Sequence, residues 1–184
     1  MNRKIRIFTI LCTVCFMFLS INIADAMKSV PITDMDVVTL HKKFEMHLKN
    51  ISGMDNITTS NLQKTDLYKN SFPEYNKYVS YIRIDNDNRD LANVLYAVDD
   101  KGQVCLGIVT FPGSNLIGTT IALCESIGLS KEDALKLWDQ IKRNETSKGI
   151  LILSPDRCII ASLSFSSVYS GAYEFAIGLI DAAN

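Results

Sequence analysis

A surplus of positive charge is missing from this chain, and its absence removes a first class of function. Lys and Arg number 19 against 20 Asp and Glu, a net charge of −1. Binding to nucleic acid or to an anionic membrane surface needs a basic footprint facing the phosphates. The balance grows more acidic once residues 1–26 are set aside. They hold Arg3, Lys4 and Arg6 with Asp25 as the one acid, which leaves 16 basic against 19 acidic residues. No nucleic-acid partner is expected.

Catalytic motifs are missing too. The sequence holds no Gly-x-Ser-x-Gly elbow, no His-Glu-x-x-His, no phosphate loop of the Gly-x-x-x-x-Gly-Lys-Ser/Thr form and no Gly-x-Gly-x-x-Gly. No catalytic residue, cofactor-binding residue or metal ligand is assigned on this basis, and no cofactor is expected. Histidine is scarce. His41 and His47 stand six residues apart on one helical pattern, so they point nearly opposite ways and cannot hold one metal ion from that helix. Asp85-Asn86-Asp87-Asn88-Arg89-Asp90 sets carboxylates at alternate positions, in outline a calcium loop. Such a loop needs Gly sixth and Glu twelfth, where this chain has Asp90 and Tyr96. The stretch reads as a solvated turn. Phe111-Pro112-Gly113-Ser114-Asn115 opens a helix whose free N–H groups could face an anion. With no basic residue near it in sequence, it reads as a helix cap.

Cysteine usage gives no framework. Cys12 and Cys15 lie inside the apolar run at the N terminus, which leaves Cys105, Cys124 and Cys158. An odd count cannot complete a set of disulfides. One bridge with one free thiol stays open, but the apolar surroundings of all three favour buried thiols.

What is present begins with a secretory signal. Met1 to Arg6 is basic, Ile7 to Leu19 is apolar, and Ala24-Asp25-Ala26 offers the small residues a signal peptidase requires. Asn22 and Asp25 cut the apolar run short. The alternative is an uncleaved anchor, since Ile7 to Ala24 is barely long enough to cross a bilayer. Cleavage leaves a single domain over 27–184, exported to a periplasm or to the exterior, with membrane contact only through the signal if it is kept. An apolar share of 47% and a charged share of 21% suit an ordinary globular core. Asn50, Asn56 and Asn144 each begin an Asn-x-Ser/Thr acceptor pattern, which counts only in a host that glycosylates it.

The pattern of apolar residues predicts the elements. Val37, Leu40, His41, Phe44, Leu48 and Ile51 recur at helical spacing behind Thr33-Asp34-Met35-Asp36, predicting a helix over 34–50. Residues 52–74 read as an irregular connection with a helical turn near Leu62 to Tyr68. Tyr78 to Ile84 alternates as a strand. Val94 to Val98 and Val104 to Val109 flank Asp99-Asp100-Lys101-Gly102, a hairpin with Gly102 left-handed. Helices follow over 115–127, closed by Gly128, and from Ser130 onward, with Ala134, Leu137, Trp138 and Ile141 as the second stripe. That pair has the outline of a DNA-reading helix-turn-helix, but Glu132, Asp133 and Asp139 would repel phosphate. Gly149 to Leu153 and Cys158 to Phe165 form a second hairpin around Ser154-Pro155-Asp156-Arg157, with serines on one face. A last helix is predicted from Ser170, carrying Ala172, Phe175, Ala176, Leu179, Ile180 and Ala183. Each hairpin preceding a helix suggests a degenerate ββα repeat.

The fold class expected is α+β, an antiparallel sheet of about five strands with helices packed on one face, in the order α-βββ-αα-ββ-α. That order is similar to the order in type III secretion chaperones and other small α+β folds. The likeness is one of element order, and expected export keeps the chaperone function from being carried over.

Three functions follow from this reading. The first is a non-catalytic binding or adaptor domain outside the cytoplasm, with a protein or small-molecule partner. The second is a hydrolase that brings His41 or His47 to a distant acid and to a serine or Cys124. The third is a subunit of a homo-oligomer, possible as a homodimer, paired through the serine-lined strand Cys158 to Phe165. The signal reading is checked by the mass of the exported protein. Loss of residues 1–26 and an N terminus at Met27 are expected; an intact N terminus outside the cytoplasm makes the segment an anchor.

Overall fold

A computed structural model describes residues 30–51, 57–84, 87–111, 116–143, 147–154 and 157–181. The signal segment with Ala24 and Ala26, acceptor sites Asn56 and Asn144, and the residues 112–115 before the second helix lie outside them. The described residues form α1 (Val37–Lys49), β1 (Ile57–Thr59), β2 (Gln63–Lys64), β3 (Asn76–Ile84), β4 (Asp87–Val98), β5 (Val104–Phe111), α2 (Leu116–Ser126), α3 (Lys131–Arg143), β6 (Lys148–Ser154), β7 (Arg157–Phe165) and β8 (Tyr173–Asp181). The fold is mixed α+β.

Local chemistry sets the helix ends. Asp36, rather than Thr33, caps α1: its Oδ1 accepts from Val38 N at 2.9 Å and Thr39 N at 3.0 Å. A Schellman closure ends α2, with Leu129 N donating to Cys124 O at 3.1 Å and Gly128 N to Glu125 O at 3.0 Å. Ser130 caps α3 by accepting from Asp133 N at 3.1 Å and donating back to its carboxylate at 2.7 Å.

The sheet has eight strands, not five, and is antiparallel throughout. Its order is β1-β3-β4-β5-β8-β7-β6, with β2 also on β3. The β4–β5 hairpin turns as expected, with Gly102 at φ 84°. Three expectations change. The stretch 57–64 contributes two short strands on β3, and the turn expected near Leu62 to Tyr68 falls later, with Phe72 N donating to Tyr68 O at 3.0 Å. Asp87 to Asp90 belongs to β4 rather than to a solvated turn, and residues 85 and 86 lie outside the described residues. The C-terminal segment is strand β8, not a helix, so the ββα repeat stops at one copy.

Both faces of β8 are covered, which explains the misreading. Phe175, Ile177 and Leu179 face the helices at 0 to 3% exposure, while Glu174 at 8% and the half-buried Ala176 face the other way. A strand apolar on both sides has no alternation to read, and a short apolar run is then indistinguishable from a helix by period. Phe175, Ile177 and Ile180 favour the extended form.

The main core lies between one sheet face and the helices. Leu40, Phe44 and Leu48 of α1, Leu123 and Cys124 of α2, and Leu137 and Ile141 of α3 join Val94, Tyr96, Val109, Ile159, Phe175 and Ile177. Helix α2 packs on β5, and α3 packs on β6 and β7. Gly149 makes that last approach possible: a Cβ there would stand 2.8 Å from the Leu137 carbonyl oxygen, so any side chain pushes α3 off the sheet. On the outer face, Leu67, Tyr68, Phe72 and Tyr75 from the β2–β3 connection cover Leu95, Ala97, Cys105, Leu106 and Ile108. Lys77 Nζ holds that connection through Tyr75 O at 2.9 Å.

Trp138 is buried at 4% exposure, as its stripe implies. Its helix rests on the second hairpin rather than on the Val104 to Val109 strand. Trp138→Ala should lower stability by about 3–5 kcal/mol through lost burial and a cavity. Unfolding of the variant in denaturant measures this, and blue-shifted, quench-resistant emission from the wild type checks the burial independently.

Candidate functional site

Polar groups converge at two places. The first lies under α1. His41, 5% exposed, sits between the helix and β4. Its Nδ1 is 3.3 Å from the Tyr96 hydroxyl, and the two rings meet edge to face with centroids 5.8 Å apart. Nε2 points toward the Glu45 carboxylate at 3.5 Å, one helical turn on, without reaching hydrogen-bond geometry. Thr59 of β1 donates its hydroxyl to the same Glu45 oxygen, Oε1. Tyr96 is fully buried, and burial, with the Glu45 charge second, holds its hydroxyl well above the ordinary phenol range. Tyr96 therefore stays protonated. Burial pushes His41 below its ordinary 6.5, against the Glu45 carboxylate and the Ser60 carbonyl, which pull it up.

The second place lies on the outer face, at the end of β8. Glu174 is 8% exposed, and its Oε1 accepts from two hydroxyls, Tyr68 and Ser166. Register sets Glu174 beside Thr110 on β5 and Ser164 on β7, with Asn93 of β4 beyond Thr110. Burial, then Glu174, drives the Tyr68 hydroxyl far above its usual range, so it remains a donor. No salt bridge to Glu174 is formed among the described residues. Ser166 additionally accepts from Val168 N at 3.2 Å and Tyr169 N at 2.9 Å, fixing the β7–β8 turn. At the same end of the hairpin Phe165, 74% exposed, stacks on Tyr173 with centroids 4.8 Å apart.

The sequence-level candidates are scattered by comparison. His47 Nδ1 meets Glu125 Oε2 at 3.4 Å and ties α1 to α2. Each histidine thus reaches a carboxylate, yet neither has a serine or cysteine partner among the described hydrogen bonds. Cys124 lies in the core, where burial, then Glu125, drives its thiol up to about 12. Cys105 rises to about 11 through burial and then Asp99, and Cys158 rises through burial. All three are free and buried. A protonated, enclosed thiol is a poor nucleophile. Asn50 is exposed just beyond α1.

Sequence reasoning missed Tyr96, Glu45, Tyr68, Ser166 and Glu174. Only Glu45 carried a usable signal, because it follows His41 by four residues and shares its helical face. Tyr68 and Glu174 are 106 positions apart, and Glu174 was assigned to a helix. Among the described residues no group of three or more His, Cys, Asp or Glu side chains is placed to hold a metal ion. The chain matches no family model, no curated protein and no solved structure. What the fold and its polar centres define is therefore a class alone, an α+β domain built on an eight-stranded antiparallel sheet.

His41 makes stability depend on pH. Its folded value lies below 6.5, so the unfolded chain binds more protons through this window. Its contribution is whole above pH 6.5 and shrinks as pH falls toward the folded value. Urea midpoints taken between about pH 7.5 and 5.5 should fall toward acid in the wild type and less so in His41→Gln. Equal slopes in the two proteins would refute the assignment.

Proposed function

We propose that this protein is a non-catalytic binding domain that works outside the cytoplasm once residues 1–26 are removed. One observation carries the reading: Phe165, 74% exposed, is held against Tyr173 on the helix-side face at the end of the β7–β8 hairpin. A large aromatic ring kept in one place by stacking offers contact area at little entropic cost, the behaviour of an interface anchor. Val168, 39% exposed, extends the apolar surface along the same turn. The Tyr68 and Ser166 hydroxyls hold the Glu174 carboxylate, and the three thiols are held protonated, so these groups are poorly placed for chemistry. The pairing of chains through the serine-lined strand needs revision: β7 lies between β6 and β8 and has no free edge. The free edge on that side belongs to β6, where Gln140 Oε1 already takes the Ile150 N–H at 2.8 Å.

The test is capture from the envelope fraction. The exported protein, tagged at its C terminus, should retain a partner that Phe165→Ala loses by about tenfold or more. Recovery of nothing above background, or equal recovery by the variant, overturns the reading.

A further inference from the structure

Charge is arranged differently on the outward sides of α3 and α1. On α3 the cations are matched by acids one turn away. Lys136 Nζ meets Glu132 Oε1 at 2.9 Å and Asp133 Oδ1 at 3.4 Å, and Arg143 meets Asp139 at 3.8 Å. On α1 that matching is missing. Leu40, His41, Phe44 and Leu48 mark its buried side. At about 100° per residue the opposite side carries Val38, Thr39, Lys42, Lys43, Met46 and Lys49, all exposed.

No acid reaches that side from α1 or from the elements beside it. Glu45, the one acid within α1, is turned aside: its Oε1 takes the Thr59 hydroxyl and lies 3.5 Å from His41 Nε2. Asp36 precedes the helix and is held there by Val38 N and Thr39 N. α1 packs on α2 and β1. β1 has no acid, and Glu125, the single acid of α2, is engaged by His47. No salt bridge to Lys42, Lys43 or Lys49 is formed among the described residues. The net charge of −1 hides this face, because it averages three local cations with acids held elsewhere.

The apolar residues narrow the occupant. Val38 and Met46, each 52% exposed, stand among the lysines. Against an anionic bilayer, lysine ammonium groups meet the headgroup phosphates while their stems and the apolar side chains enter the acyl boundary. A nucleic acid offers phosphates without that apolar layer, and leaves Val38 and Met46 in water.

We propose that the outward face of α1 docks on the surface of an anionic phospholipid bilayer, through Lys42, Lys43 and Lys49 with Val38 and Met46 between them. The contact is peripheral. It uses a different part of the protein from Phe165 and does not depend on the binding reading above.

Vesicle flotation tests it at about 0.1 M salt, where charges more than about 10 Å away are largely screened. The exported protein is offered vesicles of phosphatidylcholine alone, and of equal parts phosphatidylcholine and phosphatidylglycerol. The ratio of the two partition coefficients cancels any insertion of an uncleaved N-terminal segment, which enters both. The wild type should prefer the anionic vesicles. Each lysine at such a surface contributes about fivefold, so Lys42→Gln/Lys43→Gln/Lys49→Gln should lose about a hundredfold of that preference. The charge-matched control on α3, Lys131→Gln/Lys136→Gln/Arg143→Gln, should keep it. Val38→Ser/Met46→Ser should weaken binding to the anionic vesicles several-fold and leave retention on heparin unchanged. No preference in the wild type, or equal loss in the α3 control, overturns the proposal. Retention on heparin without vesicle binding assigns the face to a soluble polyanion and overturns it too. A salt series on the wild type decides the matter should a variant unfold: the preference must fall as salt rises, and a constant preference sinks the idea.

Discussion

The insertion of β8 between β5 and β7 is the constraint on which the rest of the structure depends. The two hairpins β4–β5 and β6–β7 are each local, but neither pairs with the other. β8 supplies hydrogen bonds to both, from Leu106↔Gly178 to Phe111↔Tyr173 on one side and from Arg157↔Asp181 to Phe165↔Tyr173 on the other. Phe175 and Ile177 on its inner face then close the core under α2 and α3. The last strand in the chain thus completes the sheet. Pairing at this sequence separation costs loop entropy before it gains contacts, so the hairpins are expected to precede it in folding.

The same strand positions the outer polar centre. Glu174 alternates with Tyr173, so the register that stacks Tyr173 on Phe165 also turns the carboxylate to the opposite face. There Tyr68 arrives from the β2–β3 connection, and Ser166 from the β7–β8 turn. A hydrogen bond to a charged group contributes about 1.5–3 kcal/mol, more than a neutral one. Two such bonds on one nine-tenths-buried carboxylate oxygen offset part of the cost of taking it out of water. They also fasten the connection that covers Leu95 and Ile108.

The inner centre answers to a different limit. His41 keeps an apolar stripe position because its ring packs near Phe44 and Tyr96. Its polar edges find Tyr96 on one side and the neighbourhood of Glu45 on the other. A buried imidazole with an imperfect second partner stays neutral in preference to carrying an uncompensated charge. The two histidines thereby separate in role: His41 is enclosed, while His47 bridges two helices at the surface through Glu125.

Local rules carried the hairpins and the helices a long way. Asp99 to Gly102 specified its own turn, Ser130 its own cap, and the stripe of Ala134, Leu137, Trp138 and Ile141 its own buried face, because each depends on residues within a few positions. The lone buried thiols were legible from their apolar neighbours. Nothing local distinguished Phe175 to Ile180 as a strand, since burial on both faces erases the alternation that marks one. Nothing local joined Tyr68 to Glu174, or Thr59 to Glu45, since these contacts exist only through strand register. The sequence by itself determined the α+β composition, the turns and the helical faces; the tertiary structure decided the sheet order and the polar centres, because side chains meet across a sheet only after distant strands have chosen their neighbours.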